Sequence, residues 1–171
     1  MSDTTSTSPR WISCADTAKL VRKALKAEFP GTKFSVRSSN YAGGASISVR
    51  YTDGPTAEKV NAVCSLYQGS TFDGMIDLKT PHRSLLTTED GAEEVRFAAD
   101  FVNAQRNMSD EVRDQLIAEL EAFTGETYDP SARLAVGVDT YQEADGSLCR
   151  DDHRGEWGST ILHQMFSCRT Y

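Results

Sequence analysis

FSVRSSNYAGGASISVRYTDGPTAEKVNAVCSLYQGSTFDGMIDLK, residues 34–79, is the stretch around which the chain is organised. Phe34, Val36 and Ser38 alternate with Ser35 and Arg37, the two-residue period of a half-buried strand. Residues 38–45 form a connection containing Gly43 and Gly44. Ile47, Val49 and Tyr51 then alternate with Ser46, Ser48 and Arg50, and the pair of stretches predicts an antiparallel hairpin. Arg37 and Arg50 fall on its polar face with Ser35, Ser46 and Ser48. Such a face suits a phosphate or a carboxylate, although any uncovered sheet face needs polar residues. Asp53, Gly54 and Pro55 make a turn, and Thr56 is an N-cap for a helix whose inner stripe is Val60, Val63, Cys64 and Tyr67, ending at Gly69. Cys64 on that stripe reads as a small apolar core residue. Phe72, Asp73, Gly74 and Met75 form a turn into a short apolar stretch. Asp73 and Asp77 lack a third acidic neighbour for a metal, so turn chemistry explains Asp73.

Toward the N-terminus, MSDTTSTSPR has no apolar core of a secretory signal and reads as a disordered leader over residues 1–12. Ser13 with Asp16 resembles a capping box, and Ala18, Val21, Ala24, Leu25 and Phe29 recur at helical spacing. Lys19, Arg22, Lys23 and Lys26 occupy the opposite face of that helix, which Pro30 and Gly31 end. This basic stripe can meet phosphates or simply be the solvated side of an amphipathic helix.

Toward the C-terminus, residues 80–94, rich in Thr, Ser and acids, predict a loop. Val95, Phe97, Ala99 and Phe101 alternate as a third strand running toward Asn103. Ser109 caps a helix to Thr124 with Val112, Leu116, Leu120 and Phe123 inside and Asp110, Glu111, Asp114, Glu119 and Glu121 outside; Gly125 ends it. Leu134, Val136 and Val138 alternate as a fourth strand, and Asp145 with Gly146 makes a tight turn. Ile161, Leu162, Met165, Phe166 and Arg169 fit a short helix, while a strand over 157–163 is the alternative.

Length and charge bound what this pattern can be. At 171 residues the chain can bury one good core or two small ones, and 39% hydrophobic with 25% charged residues is a globular composition. No apolar run approaches the 18 residues of a membrane span. Four scattered cysteines without a signal peptide point to reduced thiols and a cytoplasmic protein. The net charge of −7 is unevenly divided. Residues 1–60 carry nine Lys/Arg against five Asp/Glu, whereas residues 61–171 carry nine against twenty. Such polarity favours basic partners on one side, beyond the solvation that acids give any exposed face. The overall acidity is the opposite of what a nucleic-acid module has, so direct nucleic-acid binding is not expected.

Catalytic signatures are sparse. Cys149, His153, His163 and Cys168 are four ligands of zinc chemistry, but the spacing is that of no standard finger and no CxxC is present. A buried Cys168 with two surface histidines explains the same residues. No serine elbow, phosphate loop or dinucleotide fingerprint occurs, and Gly43 with Gly44 lies between two strands, which is hairpin chemistry. Neither a cofactor nor a metal is expected.

FPGTKFSVR at 29–37, YAGGASISVRYTDGPT at 41–56 and FDGMIDL at 72–78 carry a resemblance to the large polyvalent-protein-associated domain family, twenty-ninth of its series, over residues 13–105. The resemblance implies a protein of phages, prophages or conjugative elements, alone or embedded in very long multi-domain proteins, that acts in a bacterial host to blunt its defences. It brings no active-site residues with it.

Together these readings predict an α+β protein, a single domain over 13–171 with a family-like core at 13–105 and an acidic helix, strand and tail at 106–171. The sheet is expected to be mainly antiparallel, of about four strands, with helices on one face. The function expected is non-enzymatic: inhibition of a bacterial defence complex, a CRISPR effector or restriction system with a basic nucleic-acid channel, through the acidic surface of Asp110, Glu111, Asp114, Glu119 and Glu121. The alternative is a nucleic-acid-associated accessory domain using Lys19, Arg22, Lys23, Lys26, Arg37 and Arg50. A metal-dependent enzyme built on the Cys/His set is a third reading.

Overall fold

The structure is a computed structural model and describes residues 8–73, 78–88, 91–138, 147–150 and 156–171. The elements run β1 (Arg10–Ile12), α1 (Cys14–Glu28), β2 (Ser35–Tyr41), β3 (Gly44–Thr52), α2 (Ala57–Ser65), β4 (Ser70–Asp73), β5 (Leu78–Pro81), β6 (Ser84–Thr88), β7 (Gly91–Phe97), β8 (Phe101–Asn107), α3 (Asp110–Thr124) and α4 (Gly158–Cys168). The chain is therefore α+β. In place of one four-stranded antiparallel sheet there are three small ones among the described residues, ordered β1-β7-β6, β2-β3-β8 and β4-β5. The first is mixed, because β1 runs parallel to β7 while β6 runs antiparallel to it. Arg10–Ile12, expected within the polar leader, form β1 because the extended chain finds the open edge of β7.

The chain forms two compact units, residues 1–50 with 58–105 and residues 51–57 with 106–171. In the first unit the hairpin is as anticipated. Val36 pairs with Val49, Arg37 with Ser48 and Ser35 with Arg50, down to Tyr41 with Gly44. Its strands extend to the turn itself, leaving only Ala42 and Gly43 between them. Val36, Ala45, Ile47 and Val49 are buried, as are Cys14, Ala18, Val21 and Leu25 of α1, which packs on β2. The Ser13 side chain accepts the Asp16 N–H at 3.1 Å, which starts α1 where the capping box predicted. A second small core joins Ile12, Val95 and Phe97 to Leu20, Tyr67 and Leu86, with Tyr67 and Phe97 rings 5.5 Å apart.

Two sequence expectations fail in this unit. The loop expected over 80–94 contains the end of β5, all of β6 and the start of β7. In SLLTT the adjacent Leu85 and Leu86 hide the alternation, since Leu86 packs on the second core while Leu85 is exposed, and in GAEE Gly91 and Ala92 are exposed and held by cross-strand pairing. The single strand expected from Val95 toward Asn103 is broken into β7 and β8, which belong to different sheets. At the break the Asp100 N–H donates to Ala45 O at 2.7 Å and the Ala98 N–H to Ile12 O at 2.9 Å. The buried Asp100 carboxylate takes the Ala45 N–H and the Ser70 hydroxyl, each at 3.3 Å. Gly69 closes against this crossing. A Cβ there would lie 1.9 Å from the Phe97 carbonyl oxygen, so no larger residue fits without moving backbone.

In the second unit α3 and α4 pack together around Val112, Leu116, Leu120, Ile161, Leu162, Met165 and Phe166. The helical reading of the tail is the correct one. Ser109 caps α3 by accepting the Val112 N–H, and Gly125 ends it in the left-handed region at φ 73, a conformation that suits glycine. The fourth strand expected at Leu134, Val136 and Val138 does not form. Leu134 and Val138 are buried, but the N–H groups of Ala135 and Val136 are taken by the Glu126 carboxylate at 3.1–3.2 Å. Donors bound to a side chain cannot build a ladder, and an isolated bridge between Arg133 and Trp157 is what pairs there. No helix among the described residues is long and apolar enough to cross a membrane.

Candidate functional site: two charged faces

The acidic helix is the first site the sequence marks. On α3 the buried residues Val112, Leu116 and Leu120 define the inner side, which puts Asp110, Glu111, Asp114 and Glu121 on or near the outer one. Five carboxylates meet one cation on this helix, Arg113, which pairs with Asp110 at 2.9 Å and Asp114 at 3.3 Å. These pairs leave the carboxylates open to solvent, since the Asp110 and Asp114 side chains keep 80% and 70% of their exposure. Asp110 and Glu111 sit in the first turn, where they also complement the positive end of the helix.

The other two acids of the expected surface have internal work. Glu119 binds the Arg169 guanidinium with two bonds of 2.6 and 2.8 Å. That fork holds the Glu119 carboxyl below the usual carboxylate range through its hydrogen bond to Arg169. Glu121 Oε1 accepts the Tyr128 N–H at 2.7 Å and fixes the chain leaving α3. The acidic face that remains available is thus Asp110, Glu111 and Asp114.

Behind it lies a device that sequence reasoning missed. Arg106, at the end of β8, donates to four backbone carbonyls: Asp53 at 3.1 Å, Phe166 at 2.6 Å, Gly54 at 2.9 Å and Arg169 at 2.7 Å. Its guanidinium carbon also lies 3.9 Å from the Phe166 ring centroid. Burial lowers the Arg106 pKa, and nearby Tyr51, Tyr171 and Asp53 oppose that shift. Asp53 adopts a left-handed φ of 54 and uses its carboxylate to accept the Ser109 N–H at 2.9 Å. Nothing local in the sequence announces this hub, because its four acceptors are main-chain groups remote in the chain.

The basic residues are not gathered on one face. Lys19, Arg22, Lys23 and Lys26 are exposed on α1, where Lys19 pairs with Asp16 at 2.8 Å and Arg22 donates to Val36 O at 2.9 Å. Arg37 and Arg50 stand on the face of β2 and β3 opposite Val36, Ile47 and Val49. They are diagonal neighbours, since Arg50 pairs with Ser35 and Arg37 with Ser48. Ser39 and Tyr41 continue the same face toward the turn, and the alternation on β8 leaves Asn103 and Gln105 exposed.

Of the zinc residues, Cys149 and Cys168 are half-buried, His163 is exposed on α4, and His153 lies outside the described residues, as do Asp77, Asp145 and Gly146. Among the described residues no group of three or more His, Cys, Asp or Glu is placed to hold a metal. Burial pushes the Cys64 thiol up to about 11, far from the reactive thiolate. A groove of about 590 Å³ in the first unit is lined by Leu66, Tyr67, His82, Arg83, Leu85 and Phe97. Its imidazole is hydrogen-bonded to the Thr71 hydroxyl, and among the described residues no carboxylate bonds to that ring to orient it as a base.

No curated protein and no solved structure matches the chain. Residues 12–109, more than half of the chain, match the family described as large polyvalent protein associated domain 29, a family associated with phages and mobile elements. The match runs from Ile12, the last residue of β1, through β8 and ends where Ser109 caps α3. The chain belongs to the large polyvalent protein associated domain 29 family.

Proposed function

We propose that this phage- or mobile-element-associated chain is a non-enzymatic inhibitor. It binds a bacterial defence complex, a CRISPR effector or a restriction system, and fills part of a basic nucleic-acid channel with the outer face of α3. The observation that carries the reading is the state of the α3 carboxylates. Asp110, Glu111 and Asp114 remain solvent-facing on a helix capped at both ends and tied by Glu119 to Arg169. Carboxylates held on a rigid helix are a preorganised array for Lys and Arg side chains that otherwise grip phosphates. Guide–target duplexes lie in positively charged channels, where such an array competes directly with the nucleic-acid backbone.

The test is a plaquing assay in strains carrying one defence system each. Expression of the chain raises plaquing of a phage that the system restricts. Glu111→Lys with Asp114→Lys removes the rise, while circular dichroism and thermal unfolding of the purified variant match the parent. An unchanged plaque count in every strain refutes the inhibitor reading, and a rise that survives the double reversal refutes the assignment to α3.

A further inference from the structure

We infer that the open face of the β2-β3-β8 sheet is a second binding surface, and that its ligand is single-stranded nucleic acid held through its phosphates. The argument begins with partners. In a chain with seven more acids than Lys and Arg, guanidinium groups readily find carboxylates or carbonyls. Arg10, Arg22, Arg83, Arg106, Arg113 and Arg169 all do so. Arg37 and Arg50 do not: among the described residues neither makes a hydrogen bond or an ion pair, although both are exposed on a fully paired hairpin.

Charge on the hairpin itself is of one sign. Residues 29–52 contain no Asp or Glu at all, so the hairpin that carries both arginines offers them no internal counter-ion. Beside the Tyr41 end lies the carboxylate of Asp100. It is buried, held by the Ala45 N–H and the Ser70 hydroxyl at 3.3 Å each, and it lies beneath the position a Gly44 side chain would take. Two unpaired cations on a carboxylate-free sheet select an anion.

Spacing and neighbours narrow the anion to a strand. Diagonal cross-strand neighbours stand about 7–8 Å apart, close to the repeat of consecutive phosphates on an extended single strand. Hydroxyls of the surrounding serines and the amides of Asn103 and Gln105 supply uncharged donors for sugar and phosphate oxygens. Tyr41, 49% exposed with its ring edge over Gly44, offers a base-stacking surface at the turn end of the sheet. A sheet face with one aromatic platform takes unpaired bases, which a duplex keeps stacked inside. The lysines of α1 have no part in this site, because α1 packs on β2 and the arginines point away from the buried face.

The experiment is fluorescence anisotropy of the full chain with a labelled oligothymidylate across a salt series. Binding is expected at low salt, with log K falling against log salt at a slope of about −1.4 for two phosphates neutralised, or roughly sevenfold between about 50 and 200 mM. Arg37→Ala with Arg50→Ala weakens binding at least about tenfold and flattens the slope. Tyr41→Ala weakens it at every salt concentration without changing the slope. Lys19→Ala, Lys23→Ala and Lys26→Ala together leave it unchanged. Both arginines are exposed, and an unaltered melting curve for the double variant certifies its fold. Absence of binding by the parent at low salt overturns the proposal. So does an arginine variant that binds like the parent, a lysine variant that loses as much, or a duplex of the same length that binds as tightly. The α3 double reversal provides the separation from the inhibitor reading, since it leaves oligonucleotide binding intact or strengthens it.

Discussion

Replacing Arg106 by alanine removes the hub of the second unit, and its cost follows from its partners. Four carbonyls lose a charged donor. Two of them keep another: Gly54 O still accepts the Tyr171 N–H at 3.0 Å and Phe166 O the Arg169 N–H at 3.4 Å. The losses concentrate on the Asp53 and Arg169 carbonyls, at about 1 kcal/mol or more each for acceptors left without this donor. Loss of the cation over the Phe166 ring adds about 1 kcal/mol for a partly buried pair. The sum is about 3 kcal/mol, a large fraction of the stability of a unit this size. Lysine keeps the charge but not the planar fork, so Arg106→Lys recovers no more than half. The assay is urea unfolding followed by tryptophan fluorescence. Trp11 lies in the first unit and Trp157 in the second, so a Trp11→Phe background reports the second alone. With a slope of about 1.5 kcal/mol per molar urea, the midpoint should fall by about 2 M. A fall below about 0.5 M, or a lysine variant equal to the parent, refutes the hub as a stabilising device.

Two further outcomes follow from ionisation. Arg169 depresses the Glu119 carboxyl, so the pair's contribution is fully present above the unfolded carboxylate value near 4.3 and is lost as pH falls through the lower folded value. Because Glu119 is 44% exposed, the contribution is under about 1 kcal/mol, and Glu119→Gln should shrink the stability lost in acid by that amount; identical acid profiles for parent and variant contradict it. Brief treatment with iodoacetamide near pH 8 should label Cys149 and Cys168 well before Cys14 and Cys64, both buried and both with thiol pKa values raised by desolvation. Peptide mapping showing native Cys64 labelled as fast as Cys149 contradicts that burial.

How much of this was legible depended on where each segment's constraints lie. The helices announced themselves through local signals: Ser13 and Ser109 as caps, Gly125 as a stop and apolar residues at helical spacing. The hairpin did so through alternation, because one face is buried and the other wet. Strand β6 and the start of β7 gave no such signal, since adjacent Leu85 and Leu86 hide the alternation of one and exposed Gly91 and Ala92 are held in the other by ladder bonds. Leu134, Val136 and Val138 gave a false one: their alternation is real, but Glu126 captures the donors that a strand would need. The break at Asp100 turns on a carboxylate whose partners, Ala45 and Ser70, are remote in sequence. The same locality governs the sites. The α3 acids could be read as a face from their spacing, but that Glu119 and Glu121 are engaged internally depends on Arg169 and the Tyr128 amide.

The two surfaces carry opposite charge, and that makes them separable. An acidic helix competing for a basic channel and an arginine pair gripping phosphate are both weakened by salt, so salt dependence alone distinguishes nothing. Charge reversal does. Lysines at Glu111 and Asp114 make the chain more attractive to phosphate everywhere, so any loss of function they cause belongs to a protein partner with a basic surface. Alanines at Arg37 and Arg50 make the chain more acidic, which can only help it toward a basic channel, so any loss they cause belongs to an anionic ligand. Each variant shifts the long-range field in the same direction as its local loss, so the triple lysine variant of α1, which lowers the net charge by three against two for the arginine pair, is the control for net charge. A defect in the arginine variant that the lysine variant does not share therefore reports the site rather than the net charge.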